Sequence, residues 1–226
     1  MYKRLGILGG MGPLATYELY KNIIKSTPAQ KDQDHIDMTI LNASYIPDRT
    51  AGILYGGESP LPYLLDGCKR LENDGCDIIA MPCNTSHYFY DELQNNCGVR
   101  ILNMIELTAE RCENLGVESV YIMATAGTIK TDVYQKCLSA RNIAVITPTE
   151  NEIEEMMRVI YDIKASNTPD TSRLEEISWQ HKRLTILGCT ELSTLSELRF
   201  KNNPHIKIID AMDVLKDTIL ELFGIK

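Results

Sequence analysis

Two cysteines, Cys83 and Cys189, occupy positions in the sequence where a thiol could do chemistry. Each follows a short apolar run, at residues 78–82 and 184–188, and each is followed by residues typical of a turn and a helix start. A short apolar run that stops at such residues is typical of a buried strand. At a helix start, backbone N–H groups and the helix dipole lower the pKa of a thiol. We therefore expect one reactive thiol at the carboxyl end of each of two strands.

Two thiols that face each other across a cleft would form an acid/base pair if one were ionised and the other protonated. With a substrate carbon between them, the thiolate would remove a proton from one face and the thiol would return one to the opposite face. The stereocentre would then be inverted without a metal ion or a lysine Schiff base. The other cysteines lie in predicted helices or at their ends, where a thiol is expected to be a small buried hydrophobic group: Cys68, Cys76, Cys97, Cys112 and Cys137.

The predicted elements around these cysteines occur twice along the chain. Strands at 5–8 and 119–124 each lead into a glycine-containing turn and a helix, and Gly12 matches Gly127 at an offset of 115 residues (127 − 12). In each round a second strand then leads into a loop with a proline, and a third strand ends at the cysteine. This alternation of strands and helices favours an α/β fold with a largely parallel sheet.

The repeat predicts an α/β fold of two pseudo-symmetric domains, each a mostly parallel sheet flanked by helices, with the active site in the inter-domain cleft. The first half is expected to comprise residues 1–100 plus 211–226 and to carry Cys83. The second half is expected to comprise residues 101–210 and to carry Cys189. Ligands of open α/β sheets bind outside the carboxyl ends of the strands, where both cysteines are predicted to lie.

Other segments carry specific expectations of local structure. The glycines and prolines at 52–62 predict a loop. Helices are predicted over 88–94 and 129–141, a polar helix around 192–200, and a last strand over 206–209.

The composition limits the class of protein. Of the 226 residues 44% are hydrophobic, which is enough for a proper core, and the formal net charge of −8 without a long basic run argues against nucleic acid or an anionic membrane as partner. The seven cysteines are odd in number, irregularly spaced and without a Cys-x-x-Cys pair, which argues against a disulfide framework or a zinc site. The first apolar run is too short for a signal peptide, and no stretch has the length of a membrane span. We expect a cytoplasmic protein.

Three motifs resemble the signatures of the aspartate/glutamate racemase family, on its aspartate racemase branch: GGMGP at 9–13, MPCNTSH at 81–87 and GCTEL at 188–192. The segments IPDRT at 46–50 and ATAGT at 124–128 are also similar to that branch, so the resemblance covers nearly the whole chain. It implies racemisation by two cysteines with no cofactor and no metal, a small acidic amino acid as substrate, and a homodimer.

The resemblance also assigns residues to the site. It makes Cys83 and Cys189 the two acid/base residues. Arg49 and Lys164 match basic residues that hold the side-chain carboxylate of the substrate, and a guanidinium can bind a carboxylate through two parallel hydrogen bonds. The α-carboxylate is expected to rest on backbone N–H groups at 84–85 and 190–191. Further residues on motif positions that line the site are Met11, Asn84, Thr85, Thr128, Thr190 and Glu191.

Three roles remain open at this point. Lys164 lies 25 positions before Cys189 (189 − 164), and the family usually has a longer segment here. Whether Lys164 matches the basic residue of the family therefore depends on where in this segment residues are missing. His87, one turn after Cys83, fits either a residue that tunes the thiol or Glu191, or a purely structural histidine. Glu191 fits either a hydrogen bond near the second thiol or a role in orienting the substrate ammonium group.

Other functions compete with racemisation. The glycine turn at 6–12 is similar to that of a dinucleotide-binding oxidoreductase, but its spacing is not Gly-x-Gly-x-x-Gly and the second strand ends at Asn42-Ala43, without an acid to bind a ribose. A non-catalytic amino-acid-binding protein could use the same cleft. Within the resemblance, chemistry of the hydantoin racemase, maleate isomerase or malonate decarboxylase type is the third alternative. The two cysteines together with Arg49 favour interconversion of L- and D-aspartate, with glutamate as a further candidate substrate.

Overall fold

A computed structural model of the protein describes residues 3–165, 167–196 and 207–225. In these ranges the chain forms two four-stranded parallel sheets flanked by helices. Within the same ranges, every helix is too short or too polar to cross a lipid bilayer.

The first sheet has the strand order β2-β1-β3-β4 and all its pairs are parallel. Its strands are β1 (Arg4–Gly9), β2 (Asp37–Asn42), β3 (Ile78–Ala80) and β4 (Arg100–Ile101). The helices along this part of the chain are α1 (Pro13–Ser26), α2 (Arg49–Leu54), α3 (Leu61–Asn73) and α4 (Tyr90–Asn95). A proline in the first turn starts both α1 and α3, where its missing N–H costs no helical hydrogen bond.

The second sheet has the equivalent order, β6-β5-β7-β8, again with parallel pairs. Its strands are β5 (Ser119–Ala124), β6 (Ala144–Ile146), β7 (Leu184–Gly188) and β8 (Ile208–Asp210). The remaining helices are α5 (Met104–Asn114), α6 (Ala126–Lys130), α7 (Val133–Ser139), α8 (Glu150–Lys164), α9 (Ser172–His181), α10 (Thr190–Ser196) and α11 (Ala211–Leu222). The predicted fold class is therefore confirmed, since two sheets of the same topology follow each other along the chain.

The two cysteine strands, β3 and β7, lie inside their sheets, where every residue of β3 is fully buried. Strands buried on both faces are continuous apolar runs, because helices cover both sides of a parallel sheet. In register, Ile7 of β1 pairs with Ala80 of β3, and Ala124 of β5 pairs with Gly188 of β7. The glycine turn and the cysteine turn of each half therefore leave their sheet side by side.

Two helices connect the cores of the two sheets. In α11, Leu215 and Ile219 pack in the core of the first sheet while Val214 packs in that of the second. In α5, Met104 belongs to the first core and Ile105 to the second. The division of the chain into residues 1–100 plus 211–226 and residues 101–210 stays a prediction.

Several local predictions need correction. The loop predicted over 52–62 begins as helix α2, because the Asp48 carboxylate accepts a hydrogen bond from Ala51 N (2.8 Å) and caps the helix start. The single helix predicted over 129–141 is two helices, α6 and α7, because Asp132 between them has a left-handed backbone (φ 57°) that cannot continue a right-handed helix.

The segments next to the cysteines also differ from expectation. The helix predicted over 88–94 is a 3₁₀ turn (Thr85–Phe89) that runs into α4. The helix predicted over 192–200 begins earlier, as α10 at Thr190, and residues 197–200 lie outside the described part of the chain. Position 206, where the last strand was expected to start, also lies outside it.

Candidate active site

A small, nearly closed cavity lies at the carboxyl ends of β1, β3, β5 and β7. Nine of the ten residues expected in the site line it: Met11, Arg49, Cys83, Asn84, Thr85, Lys164, Cys189, Thr190 and Glu191. The tenth, Thr128, lies behind the wall, where its hydroxyl is 3.0 Å from that of Thr85. Cys83 and Cys189, which are 106 positions apart (189 − 83), therefore line one buried space.

A larger cavity of about 380 Å³ adjoins the first and shares four lining residues with it: Asp48, Arg49, Lys164 and Glu191. Its other walls include the apolar side chains of Leu14, Ile46 and Ile163. Leu14 is exposed to solvent, so this outer cavity connects the surface to the thiol cavity. We interpret it as the entrance of the site.

The Cys83 side chain is buried and accepts a hydrogen bond from the Ser86 hydroxyl (3.1 Å). Ser86 Oγ also lies 3.4 Å from the Met11 sulfur, but a hydroxyl has one proton and donates to one of these groups at a time. Ser86 was not among the expected site residues, because its contact with Cys83 depends on the 3₁₀ turn.

The Cys189 side chain is also buried, and its Sγ donates a hydrogen bond to Glu191 Oε2 (3.1 Å). Burial raises the pKa of Cys189 well above its usual value, and the negative charge of Glu191 raises it further, whereas Lys164 lowers it. The expectation that a helix start lowers this pKa is wrong for Cys189, because burial and the carboxylate outweigh the seven-residue helix α10. In the free site Cys189 is a neutral thiol.

The titration of Cys189 gives a direct prediction. Because the charge of Glu191 raises the pKa of this thiol, Glu191→Gln is expected to let Cys189 ionise at a lower pH. The measurement is the rate of alkylation of the Cys189 peptide by iodoacetamide as a function of pH, followed by mass spectrometry in a Cys83→Ala background. Lys164→Met is the opposing control, since removal of its positive charge should raise the midpoint. An unchanged or raised midpoint in Glu191→Gln would contradict the assignment.

Glu191 has a second carboxylate oxygen that faces the cavity. Glu191 Oε1 is buried and has no hydrogen-bond partner in the described part of the chain. A Cβ atom at Gly12 would lie 3.0 Å from this oxygen, so the glycine leaves the space beside it open. A buried carboxylate oxygen without a partner is costly unless a ligand supplies a donor. An ammonium group in the cavity would meet that need.

Lys164 reaches the site from the end of α8, as the resemblance implied. Burial lowers the pKa of Lys164, but the neighbouring acidic groups, Glu191 first and then Cys189 and Cys83, together outweigh it, so the pKa is raised and the ammonium keeps its charge. Its Nζ lies 5.4 Å from the centroid of the Tyr161 ring, at a favourable cation–π distance. Lys164 lines both cavities, between the entrance and the thiols.

Arg49 is the strongest candidate for binding an anion. Its guanidinium is buried and donates to the carbonyls of Met11 (3.3 Å), Ile46 (3.3 Å) and Pro47 (3.1 Å). Its Nε has no partner, and none of the ion pairs among the described residues includes Arg49. A buried charge without a counter-ion is destabilising unless a ligand carries the opposite charge. The carbonyls therefore fix the guanidinium in place without neutralising it.

Asn84 presents a second unpaired donor. Its Oδ1 accepts a hydrogen bond from the Tyr134 hydroxyl (2.6 Å), while its Nδ2 is buried without a partner in the described residues. Arg49 Nε, Asn84 Nδ2 and Glu191 Oε1 are thus three unsatisfied polar atoms on residues that line one small cavity. Such a set is typical of a ligand site, because buried polar groups are normally paired.

Hydroxyl groups join the two halves next to this cavity. The side-chain oxygens of Thr85, Thr125 and Thr128 lie 2.8 to 3.1 Å from one another. The Thr190 hydroxyl donates to the carbonyl of Pro82 (3.2 Å), which precedes Cys83. These contacts fix the turn that carries one thiol against the turn that carries the other.

His87 is structural, which resolves one open role. The backbone N–H of Met104 donates to His87 Nε2 (3.1 Å), so this nitrogen must be unprotonated and Nδ1 donates to the carbonyl of Cys83 (2.9 Å). Burial lowers the pKa of His87, which keeps the ring neutral. The imidazole connects the start of α5 to the Cys83 turn through backbone atoms, and its described contacts include neither thiol.

Three further residues line the thiol cavity without having been singled out: Asp48, Thr50 and Thr125. All three lie inside the motifs at 46–50 and 124–128, so the motifs located them without assigning a role. Asp48 is the cap of α2, and Thr125 is the cap of α6, where it accepts from Thr128 N (3.1 Å). Asp and Thr are common helix caps, so capping alone accounts for Asp48 and Thr125 without a contact to a substrate.

Comparison with known proteins agrees with this geometry. The Asp/Glu/Hydantoin racemase family matches residues 8–218. The chain is 30% identical over 228 residues to the "Broad specificity amino-acid racemase RacX" of Bacillus subtilis (strain 168), an alignment that covers 95% of this chain and 96% of the relative.

Solved structures show the same similarity. The aspartate racemase of Picrophilus torridus superposes with a TM-score of 0.85 at 30% identity, over 99% of this chain and 95% of that one. An aspartate racemase homologue from Pyrococcus horikoshii OT3 superposes with a TM-score of 0.78 at 25% identity, over 98% and 99% of the two chains. The match of sequence and fold over nearly the full length places this chain in the Asp/Glu/Hydantoin racemase family.

Proposed function

We propose that this protein is a cofactor-independent amino acid racemase that interconverts L- and D-aspartate by a two-thiol acid/base mechanism, with glutamate as a further candidate substrate. The observation that carries the proposal is that Cys83 and Cys189 line one buried cavity in which Arg49 has no carboxylate partner among the described residues. The family membership supports racemase chemistry, and the name of the Picrophilus torridus relative supports aspartate as substrate.

The proton transfers follow from the environments of the two sulfurs. Cys83, as the thiolate, removes the Cα proton and becomes a thiol, and Cys189, as the thiol, donates its proton to the opposite face of Cα and becomes a thiolate. The reverse reaction exchanges these roles. A thiolate at Cys189 is disfavoured by the adjacent Glu191 carboxylate. The resting enzyme therefore has Cys83 as the base and Cys189 as the acid, and proton exchange after turnover restores that form.

The unpaired polar atoms of the cavity match the charges of an acidic amino acid. Arg49 binds the side-chain carboxylate, with Lys164 adding positive charge at the entrance. Asn84 Nδ2 and the backbone N–H groups at 84–85 and 190–191 bind the α-carboxylate. Glu191 Oε1 accepts from the ammonium group. Two donor sets and one acceptor thus correspond to two carboxylates and one ammonium group.

The rest of the proposal concerns the assembly and location. We propose a homodimer on the basis of the resemblance and a cytoplasmic location on the basis of composition. The repeat supports a division into residues 1–100 plus 211–226 and residues 101–210. No nucleic acid or membrane partner is part of the proposal.

A broader substrate range is a second candidate function. The outer cavity of about 380 Å³, whose walls include Leu14, Ile46 and Ile163, favours it, because that cavity has room for a side chain longer than that of aspartate. The Bacillus subtilis relative is named as a racemase of broad specificity.

Chiral analysis of amino acids after incubation with the purified protein tests the proposal. L-aspartate and L-glutamate are supplied separately, without added cofactor, alongside L-leucine, a 5-substituted hydantoin and maleate. We expect D-aspartate to form fastest. Conversion of L-leucine at a comparable rate would favour the broader racemase, and conversion of the hydantoin or maleate alone, or of nothing, would overturn the proposal.

A further inference from the structure

Tyr134 of α7 contacts both of the turns that carry the thiols. Its hydroxyl donates to Oδ1 of Asn84, the residue after Cys83, at 2.6 Å. Its ring lies against Gly188, the residue before Cys189, where an added Cβ would lie 3.0 Å from Tyr134 Cε2. The tyrosine is fully buried and does not line the thiol cavity. It therefore acts on the site through its neighbours and not by touching a ligand in the cavity.

The orientation of the Asn84 amide depends on this contact. An asparagine amide has an acceptor end and a donor end, and a half-turn about its last bond exchanges them. Burial raises the pKa of Tyr134, so the phenol keeps its proton and remains a donor. A donor at Oδ1 directs Nδ2 away from Tyr134, and Nδ2 is the atom left buried without a partner.

We infer that Tyr134 is a positioning residue that holds Asn84 so that its Nδ2 donates to a substrate carboxylate. This rests on the proposed function, because it takes the thiol cavity as the amino acid site. Tyr134, in the second half of the molecule, donates this hydrogen bond, and Asn84 lies in the first half. Because the Tyr134 ring also lies against Gly188, the contact links the position of Asn84 Nδ2 to that of the Cys189 turn. Without the phenol, Asn84 would be free to present either end, and substrate binding would weaken equally in the ground and transition states.

The test compares Tyr134→Phe with Tyr121→Phe. Tyr121 is a matched control, because it is also fully buried in the second half, but its hydroxyl has no partner in the described residues and its ring stacks on His181 at 4.0 Å. We expect Tyr134→Phe to raise the KM for aspartate about tenfold with kcat within about twofold of wild type, as for loss of one hydrogen bond to a charged group. Tyr121→Phe should leave both constants unchanged.

A double-mutant cycle separates positioning from a general structural effect. If Tyr134 acts through Asn84, Tyr134→Phe should add less than about twofold to the KM of an Asn84→Ala variant. The same increase in both backgrounds, or no increase in wild type, would overturn the inference.

A second variant leaves Tyr134 in place, in case Tyr134→Phe does not fold. Asn84→Asp keeps an acceptor for the phenol but offers no N–H to the substrate, so its KM should rise at least about tenfold; an unchanged KM would overturn the inference. A wild-type protein that racemises no amino acid refutes the proposed function and this inference with it. A racemase that is impaired by Asn84→Ala but not by Tyr134→Phe refutes only the inference.

Discussion

Cys83→Ala and Cys189→Ala are each expected to reduce interconversion of L- and D-aspartate by at least about 10³-fold, within the range by which a positioned acid or base accelerates a proton transfer. Each variant lacks one of the two groups that exchange protons with Cα, and no other thiol lines the cavity among the described residues. Inversion needs one acid/base group on each face of this carbon. The double variant should therefore be about as slow as either single one, because groups that act as a unit are not additive. The measurement is the initial rate of D-aspartate formation, followed by chiral chromatography.

Cys112→Ala is the matched control for the loss of a buried thiol. Cys112 is fully buried in α5, where burial raises its pKa to about 11, and it lies in the core of the second sheet rather than in the cavity. We expect near-normal activity and a loss of about 1 kcal/mol in the free energy of unfolding. A Cys189→Ala variant with more than a tenth of the wild-type rate would contradict the mechanism.

Arg49→Leu is expected to lower kcat/KM for aspartate by about 10²- to 10³-fold, because two charge-assisted hydrogen bonds to a buried carboxylate would be lost. Arg49→Lys should recover only part of this, since an ammonium group cannot form the same pair of parallel bonds. The backbone carbonyls of Met11, Ile46 and Pro47 hold the guanidinium in position, and these contacts also depend on its planar shape. Steady-state kinetics with aspartate measure the effect.

Arg158→Leu is the control for the loss of an arginine. Arg158 lies on α8 with its charge paired to Glu155 and Asp162 at the surface, so its removal should leave the kinetic constants unchanged. The selectivity of the Arg49 variant provides a second check. Any residual activity towards alanine should be unaffected by Arg49→Leu, because alanine has no side-chain carboxylate. An equal loss for alanine and aspartate would show that Arg49 acts on the fold rather than on the substrate.

The sequence was sufficient to predict the positions of both thiols, and the reason is local. The runs at 78–82 and 184–188 are apolar apart from Thr185, which is typical of strands in the middle of a parallel sheet, and both stop at turn residues. The offset between Gly12 and Gly127 then predicted two halves of the same topology. Because the carboxyl ends of parallel strands lie at one edge, the turns were expected near each other before any contact was known.

Properties that depend on the packing and orientation of side chains could not be predicted in this way. The raised pKa of Cys189 arises from burial and from the rotamer that brings Glu191 Oε2 within 3.1 Å, neither of which a motif contains. Tyr134 is 50 residues from Asn84 and has no local sign of its contact. The break at Asp132 was hidden for a different reason, since an aspartate can adopt a left-handed backbone but need not do so.

The central claim is that two acid/base groups act on opposite faces of one carbon, and deuterium incorporation during the first turnovers tests it directly. The racemisation of L-aspartate is started in deuterium oxide, and both enantiomers are separated and analysed by mass spectrometry before about a tenth has reacted. We predict that the D-aspartate formed carries one deuterium at Cα while the remaining L-aspartate keeps its protium, with the mirror-image result from D-aspartate, because each enantiomer is protonated by a different sulfur. Product that keeps the original protium, or early deuterium in the remaining substrate equal to that in the product, would show that a single group serves both faces and would contradict the two-thiol mechanism.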